Sequence, residues 1–236
     1  MRMTAVKKFL QRLRKSFTPD PDSFLNEVTG VIHVGANTGQ ERHKYARLNL
    51  DVIWIEPDPE VFARLESNLQ SLSRQQAMKC LITDRDNEQH LLHVSNNAGL
   101  SSSILELKDH KDIWPEVAYT RTIPVTSTTL TSLLARQCIA VDRYQALVMD
   151  TQGSELMVLR GSIPLLGGFR YIKTEVPDFE AYANCCVLAD MTAFMSEHGF
   201  AEISRRKFAQ RAQGGAYYDV VYRNSAPQAV PRHTDR

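Results

Sequence analysis

Gly30-Val31-Ile32-His33-Val34-Gly35-Ala36-Asn37-Thr38-Gly39-Gln40 decides the reading of this chain. A β-branched run ends in a turn of small residues, and a helix-forming run from Gln40 to Leu48 follows at once. That order describes a strand, a ligand-binding loop and a helix N-terminus. Gly35 and Gly39 let bare backbone approach a ligand, and Asn37 tolerates a left-handed position at modest cost. Dinucleotide folds place G-x-G-x-x-G around a pyrophosphate. The pattern here is G-A-N-T-G, so a ligand without a pyrophosphate is expected. Val52-Ile53-Trp54-Ile55-Glu56-Pro57-Asp58 supplies the second half of the signal. It is an apolar strand ending in a carboxylate about 20 residues past the first loop glycine, where α/β nucleoside binders place the acid that grips the ribose hydroxyls. Together the two strand ends describe an adenosyl pocket.

The rest of the composition limits what surrounds this pocket. A chain of 236 residues with 43% hydrophobic content is long enough for one α/β domain with a buried core. Its 28 basic and 27 acidic residues leave a formal charge of only +1, so no nucleic-acid partner is expected for the body of the protein. The basic excess is local. Arg2, Lys7, Lys8, Arg12, Arg14 and Lys15 carry no acid among them, while Val6, Phe9, Leu10, Leu13 and Phe17 fall at helical spacing. Residues 1–22 therefore read as a basic amphipathic helix and linker. Residues 1–17 offer weak contact with an anionic membrane surface beside the simpler option of packing on their own domain. No apolar stretch follows these charges as it would in a signal peptide, and no run reaches the length of a membrane span. Four cysteines without C-x-x-C pairing imply reduced thiols and a cytoplasmic location.

Residues 23–224 form the expected domain. Strands at about 30–35 and 51–56 alternate with helices at about 40–48 and 59–71, which predicts parallel pairing through right-handed crossovers. Strand three is expected at 77–83, turning through Arg85-Asp86-Asn87-Glu88 into a hairpin with 89–95. The polar run Asn96 to Ser103 is placed at the pocket mouth, and 104–119 reads as an insertion or lid. An edge strand at 121–125, a helix at 128–136, a buried strand at 144–150, a helix at 156–166 and a strand at 171–176 come next. A helix at about 187–198, stopped by Gly199, leads to closing strands at 200–205 and 216–223, the last one antiparallel. Residues 225–236 are polar and aperiodic, and read as a disordered tail.

In an open parallel sheet ligands sit outside the carboxyl ends of the strands. His33, Glu56, Asp84, Asp150 and Glu175 should then ring one crevice. Asp150 precedes the turn Thr151-Gln152-Gly153 and a helix start, so the helix N-terminus is expected to keep its pKa low. Glu175 follows Tyr171-Ile172 in an apolar setting, where burial is expected to raise its pKa. No ligand spacing demands a metal, and none is expected.

His33 to Gln40, Trp54-Ile55-Glu56-Pro57, Met149-Asp150-Thr151-Gln152-Gly153-Ser154-Glu155 with Leu159-Arg160-Gly161, and Thr174-Glu175-Val176 resemble the FkbM family of S-adenosylmethionine-dependent methyltransferases. Many of its members methylate hydroxyls on sugars and natural products. The resemblance runs from about residue 28 to 223, and its most specific element is D-x-Q-G-x-E. It implies a Rossmann-like class I methyltransferase fold, a mostly parallel seven-stranded sheet with an antiparallel last strand and helices on both faces. It also implies S-adenosyl-L-methionine as cofactor. Gly35, Asn37 and Gly39 would meet its methionine and ribose part, Glu56 its ribose hydroxyls and Asp84 its adenine. Members usually carry Asp where this chain has His33, so Glu41 is expected to help hold the cofactor's ammonium if it turns inward.

The implied reaction is an in-line displacement in which an acceptor oxygen attacks the sulfonium methyl, with a carboxylate or imidazole taking the proton. Asp150 and Glu175 are the candidate bases and His33 the third. The expected acceptor is a hydroxyl of a saccharide or small metabolite. Two other readings remain at this point, a nicotinamide-dependent oxidoreductase and a non-catalytic adenosyl-binding module. The missing G-x-G-x-x-G weighs against the first and the full set of strand-end acids against the second.

Overall fold

The computed structural model describes residues 21–225, so the expected basic helix of residues 1–17 and all of the tail beyond Ser225 lie outside the described residues. In chain order the strands are β1 (Gly30–Val34), β2 (Asp51–Glu56), β3 (Gln75–Lys79), β4 (Leu81–Ile82), β5 (Gln89–Ser95), β6 (Tyr119–Thr128), β7 (Ala146–Met149), β8 (Tyr171–Pro177), β9 (Phe200–Gln210) and β10 (Ala216–Asn224). The α-helices are α1 (Arg42–Arg47), α2 (Pro59–Leu69), α3 (Leu130–Arg136), α4 (Glu155–Arg160) and α5 (Leu188–Glu197). Seven of the strands form one sheet in the order β3-β2-β1-β7-β8-β10-β9. Pairing is parallel from β3 through β8, and β10 runs antiparallel to both β8 and β9. This is the expected Rossmann-like, mostly parallel sheet.

The central strands are apolar on both faces because helices cover both. Ile32, Val34, Ile53, Ile55, Leu147, Met149 and Ile172 pack against Leu130, Leu133 and Leu134 of α3, Val158 and Leu159 of α4, and Met191 and Met195 of α5. The alternate residues Val31, Val52, Trp54, Ala146 and Val148 pack against Tyr45 of α1, Leu65 and Leu69 of α2, and Phe24 and Leu25 of a short 3-10 turn. That turn spans Ser23–Glu27 behind Asp22, whose side chain bridges Lys44 and Lys173 and does not cap the turn. At the edge, β9 carries Arg205, Arg206 and Lys207 on its exposed stretch, charges of the kind that keep an edge strand from pairing with another chain.

The middle of the chain departs from the sequence reading. The expected strand at 77–83 is two strands in different sheets. β3 ends the main sheet, Cys80 donates its N–H to the Glu56 carbonyl at 3.2 Å, and β4 then pairs in parallel with Ser127 and Thr128 of β6. The expected hairpin with 89–95 does not form. β5 pairs antiparallel with β6, so β6 lies at the centre of a three-stranded sheet and is not an edge strand. The reason is nonlocal: residues 96–118 fold over the site and return the chain to β5. Nor are they a loose lid. Leu105, Leu107, Ile113 and Trp114 pack on Phe179, Tyr182 and Tyr217 in a separate apolar cluster. The helix expected at 156–166 also stops early. Gly161 passes so close to the Thr83 carbonyl that a Cβ would lie 2.1 Å from it, and Pro164 continues only as a 3-10 turn.

Candidate active site

The loop after β1 is built by close backbone approach. Gly35 has φ +80°, and a Cβ there would lie 1.9 Å from the Asp150 carbonyl, so only glycine lets the ends of β1 and β7 converge. The N–H groups of Gly35 and Ala36 both reach the Ile55 carbonyl at 3.0 Å, and Asp150 N–H reaches the Val34 carbonyl at 3.0 Å. Asn37 takes the left-handed position with φ +44°. Its Oδ1 accepts the Thr38 N–H at 2.7 Å, and its amide nitrogen donates to the Ala98 carbonyl at 3.3 Å, tying the loop to the polar run 96–103. Gly39 also has positive φ, but its Cβ direction meets Leu65 of α2 at 2.9 Å; it serves the packing of the loop and does not line the cavity.

A cavity of about 290 Å³ opens over these strand ends. His33, Gly35, Asn37, Glu41, Glu56 and Asp150 all line it. Glu56 is 7% exposed. One of its oxygens accepts the Asn37 N–H at 2.9 Å and the other the Asp58 N–H at 2.9 Å. Burial raises its pKa from 4.5 to about 7, with these two N–H groups pulling the other way. Each oxygen retains a lone pair for a further donor. Asp58 in turn caps α2, accepting the N–H groups of Glu60 and Val61, and pairs with Arg121. Cys80, Leu81, Ile82 and Leu92 make an apolar wall beyond Glu56.

The opposite wall is the turn after β7. Here the expected low pKa of Asp150 is overturned. The backbone N–H groups of Thr151 and Gly153 point to the Glu155 carboxylate at 2.8 and 3.1 Å, so Glu155 occupies the helix N-terminus that was to hold Asp150 ionised. Asp150 is left half-buried, with the Gln152 amide donating to its Oδ1 at 2.5 Å. Burial, the carboxyl of Glu155 and those of Glu41 and Asp219 together raise its pKa to about 7, against the favourable bond from Gln152. Thr151 and Ser154 also line this wall, and Thr151 Oγ1 is buried without a hydrogen-bond partner of acceptable geometry.

His33 is a wall of the site. Its ring stacks on Trp54 at 4.8 Å, and its Nδ1 lies 3.2 Å from the Tyr45 hydroxyl. Burial, reinforced by Lys173, lowers its pKa to about 3, so it is neutral and a weak base at neutral pH. Lys173 shares its register row, His33–Val148–Lys173. Glu41 does turn toward the cavity, and burial raises its pKa.

Two expected members of the ring stand apart. Asp84 is half-buried just past β4 and is not part of the cavity lining. Glu175 sits in β8 opposite Asp219 and also lies off the lining. Its pKa is raised, as expected; burial is the main cause, followed by the carboxyls of Asp150 and Asp219. The sequence reading did not single out Gln152, Thr151, Ser103 or Tyr182 as site residues. For Gln152 the signal was present, since it lies inside D-x-Q-G-x-E; nothing local marked Tyr182.

The model for the methyltransferase FkbM domain matches residues 33–201. No curated protein sequence matches the chain. Among solved structures, an uncharacterized protein from Listeria monocytogenes serotype 4b aligns with TM-score 0.50 at 10% identity, over 98% of this chain and 72% of that one. The METTL16 MTase domain aligns with TM-score 0.50 at 10% identity, over 94% and 70%. M. capricolum TrmK in complex with S-adenosyl-homocysteine aligns with TM-score 0.50 at 6% identity, over 93% and 73%. Identities this low speak to the fold alone.

Proposed function

From the premise that this chain belongs to the FkbM methyltransferase family, we propose that it uses S-adenosylmethionine to methylate a hydroxyl of a saccharide or small metabolite. The observation that carries the reading is Glu56. It is a buried strand-end acid with one lone pair left on each oxygen, set between a glycine loop and the apolar wall of Cys80, Leu81 and Ile82. That donor and acceptor set suits a ribose diol with an adenine beyond it. At the other end the cavity is lined by Gly35, Ala36, Thr151 and Ser154. Glu41 supplies the carboxylate for the cofactor's ammonium where His33, being neutral, does not.

The cofactor, when bound, supplies an electrophilic methyl group on a sulfonium sulfur. The chain's task is alignment, worth up to ~7–11 kcal/mol when reacting atoms are held in line, and removal of one proton. Asp150 lines the cavity with a pKa of about 7, near the optimum for a general base at neutral pH. Glu175 lies behind it with a pKa raised well above the ordinary value. Burial and the neighbouring carboxyls disfavour charge on Glu175, which limits its repulsion of Asp150 and makes it the less available proton acceptor. We therefore assign proton removal to Asp150 and electrostatic support to Glu175. Asp84, off the lining, is assigned no more than placement of the Cys80–Ile82 wall. The four free cysteines, Cys80, Cys138, Cys185 and Cys186, support a reducing, cytoplasmic setting. No described helix is long and apolar enough to cross a membrane.

The test has two steps. S-adenosylhomocysteine should raise the melting temperature and NAD should not; a ligand at 100 times its Kd adds about 2.7 kcal/mol. Protein and methyl-labelled S-adenosylmethionine are then incubated with saccharides, small hydroxylated metabolites and RNA. Label on a hydroxyl compound, lost in Asp150→Asn, is the expected result. Label on RNA alone overturns the acceptor assignment.

A further inference from the structure

We propose that Tyr182 is a positioning residue for Asp150, acting through the side-chain amide of Gln152. The proposal rests on the reading above that Asp150 takes the acceptor proton. Tyr182 lies in the loop between β8 and α5 and is 1% exposed. Its hydroxyl donates to Gln152 Oε1 at 2.5 Å, and Gln152 Nε2 donates to Asp150 Oδ1 at 2.5 Å. An amide has one accepting end and one donating end. A donor held at the oxygen therefore commits the nitrogen to the carboxylate.

Both ends of this link are anchored. The Gln152 backbone sits at φ +54°, and its carbonyl accepts the Ser103 hydroxyl at 2.8 Å. Tyr182 is bridged to Leu107 of the insertion, and its ring lies 5.1 Å from that of His110. Gly153 leaves the ring its place, since a Cβ there would come within 3.2 Å of it. Burial raises the Tyr182 pKa, so the phenol remains a donor throughout the working range. The groups facing Asp150 otherwise disfavour its charge: Glu155 on α4, Glu41 before α1, Asp219 on β10, Glu175 on β8 and Glu56 on β2. Lys173 on β8 acts the other way, on Glu175. The Gln152 amide is the hydrogen bond that favours the ionised form, and Tyr182 determines which end of that amide Asp150 meets. The insertion and the loop after β8 thereby reach the base without touching it.

The experiment follows the Asp150 carboxyl directly by carbon-13 NMR of the full chain labelled at aspartate, with and without S-adenosylhomocysteine. Asp150→Asn identifies the resonance. In the unaltered protein it should titrate near the value of about 7 set by its surroundings. In Tyr182→Phe and in Gln152→Ala the midpoint should rise by about one pH unit, the scale of one lost hydrogen bond to a charged group. The double variant should rise no further than Gln152→Ala alone. An unmoved midpoint in Tyr182→Phe, or additive shifts in the double variant, overturns the proposal. If Tyr182→Phe fails to fold, Gln152→Ala, which leaves the Tyr182 packing in place, decides: an unmoved midpoint there refutes the link. The underlying reading fails separately, since an Asp150→Asn protein that transfers methyl groups at the unaltered rate refutes the base assignment whatever the titration shows.

Discussion

Acidification should weaken S-adenosylhomocysteine binding, and Glu56 should be the group responsible. Its carboxyl is buried at the end of β2, and burial outweighs the N–H groups of Asp58 and Asn37 to move its pKa from 4.5 to about 7. At about 1.4 kcal/mol per unit, that shift disfavours the charged form by about 3 kcal/mol. Two ribose hydroxyls donating to Glu56 would favour the carboxylate, so binding must release a proton wherever the empty site holds the neutral acid. Affinity should then be flat above pH 7 and fall by about tenfold per pH unit below it. The same shift has a sign for stability. A folded-state pKa raised above the unfolded value costs stability as pH rises from 4.5 through 7, so the ligand-free fold loosens over the window in which affinity for the ligand rises toward its plateau. Calorimetry from about pH 5.5 to about 8.5, in two buffers of different ionisation enthalpy, reads both the affinity and the released proton. S-adenosylhomocysteine is the right probe because it lacks the sulfonium charge that would couple to Asp150. Glu41 also has a raised pKa, and Glu56→Gln separates the two. A Kd independent of pH, or an unchanged slope in Glu56→Gln, would refute the ribose assignment.

Three further outcomes are expected. Gly35→Ala should cost about 2–3 kcal/mol in urea denaturation, combining ~1–2 for a left-handed alanine with about 1 for the strained Asp150 to Val34 bond; the added Cβ lies 1.9 Å from the Asp150 carbonyl, and a loss below ~1 kcal/mol would show that the loop yields. Glu155→Ala leaves the N–H groups of Thr151 and Gly153 without their acceptor, so stability should fall by about 2–4 kcal/mol while the Asp150 pKa drops through loss of a neighbouring carboxyl; an Asp150 titration that stays in place or rises would contradict that account. Deleting residues 1–17 keeps Asp22 and its bridges to Lys44 and Lys173, and S-adenosylhomocysteine affinity should remain within a few-fold. An insoluble truncation would assign those residues to the core.

Much of the fold was legible in the sequence because its signals are short-range. The apolar runs of β1, β2, β7 and β8, each followed by small or acidic residues, report strands buried on both faces and ending at a ligand edge. Glycine at 35 and asparagine at 37 report backbone conformations that the residue type itself permits. The pairing of β5 with β6 was not legible, because the choice between β4 and β6 as partner depends on how residues 96–118 pack on Tyr182 and Tyr217. The placement of Gly39 against α2 and of Asp84 and Glu175 off the cavity was likewise a matter of direction in space, which strand-end position alone does not specify. Asp150 makes the division clearest. Its place at the end of a buried strand, before a helix, was written in Met149 to Glu155. Its charge was not, because a pKa is set by the free energy of solvation and by every nearby charge. Only the tertiary structure brings Glu155 onto the helix N-terminus, Glu41 and Asp219 beside the carboxyl, and the Gln152 amide against its oxygen.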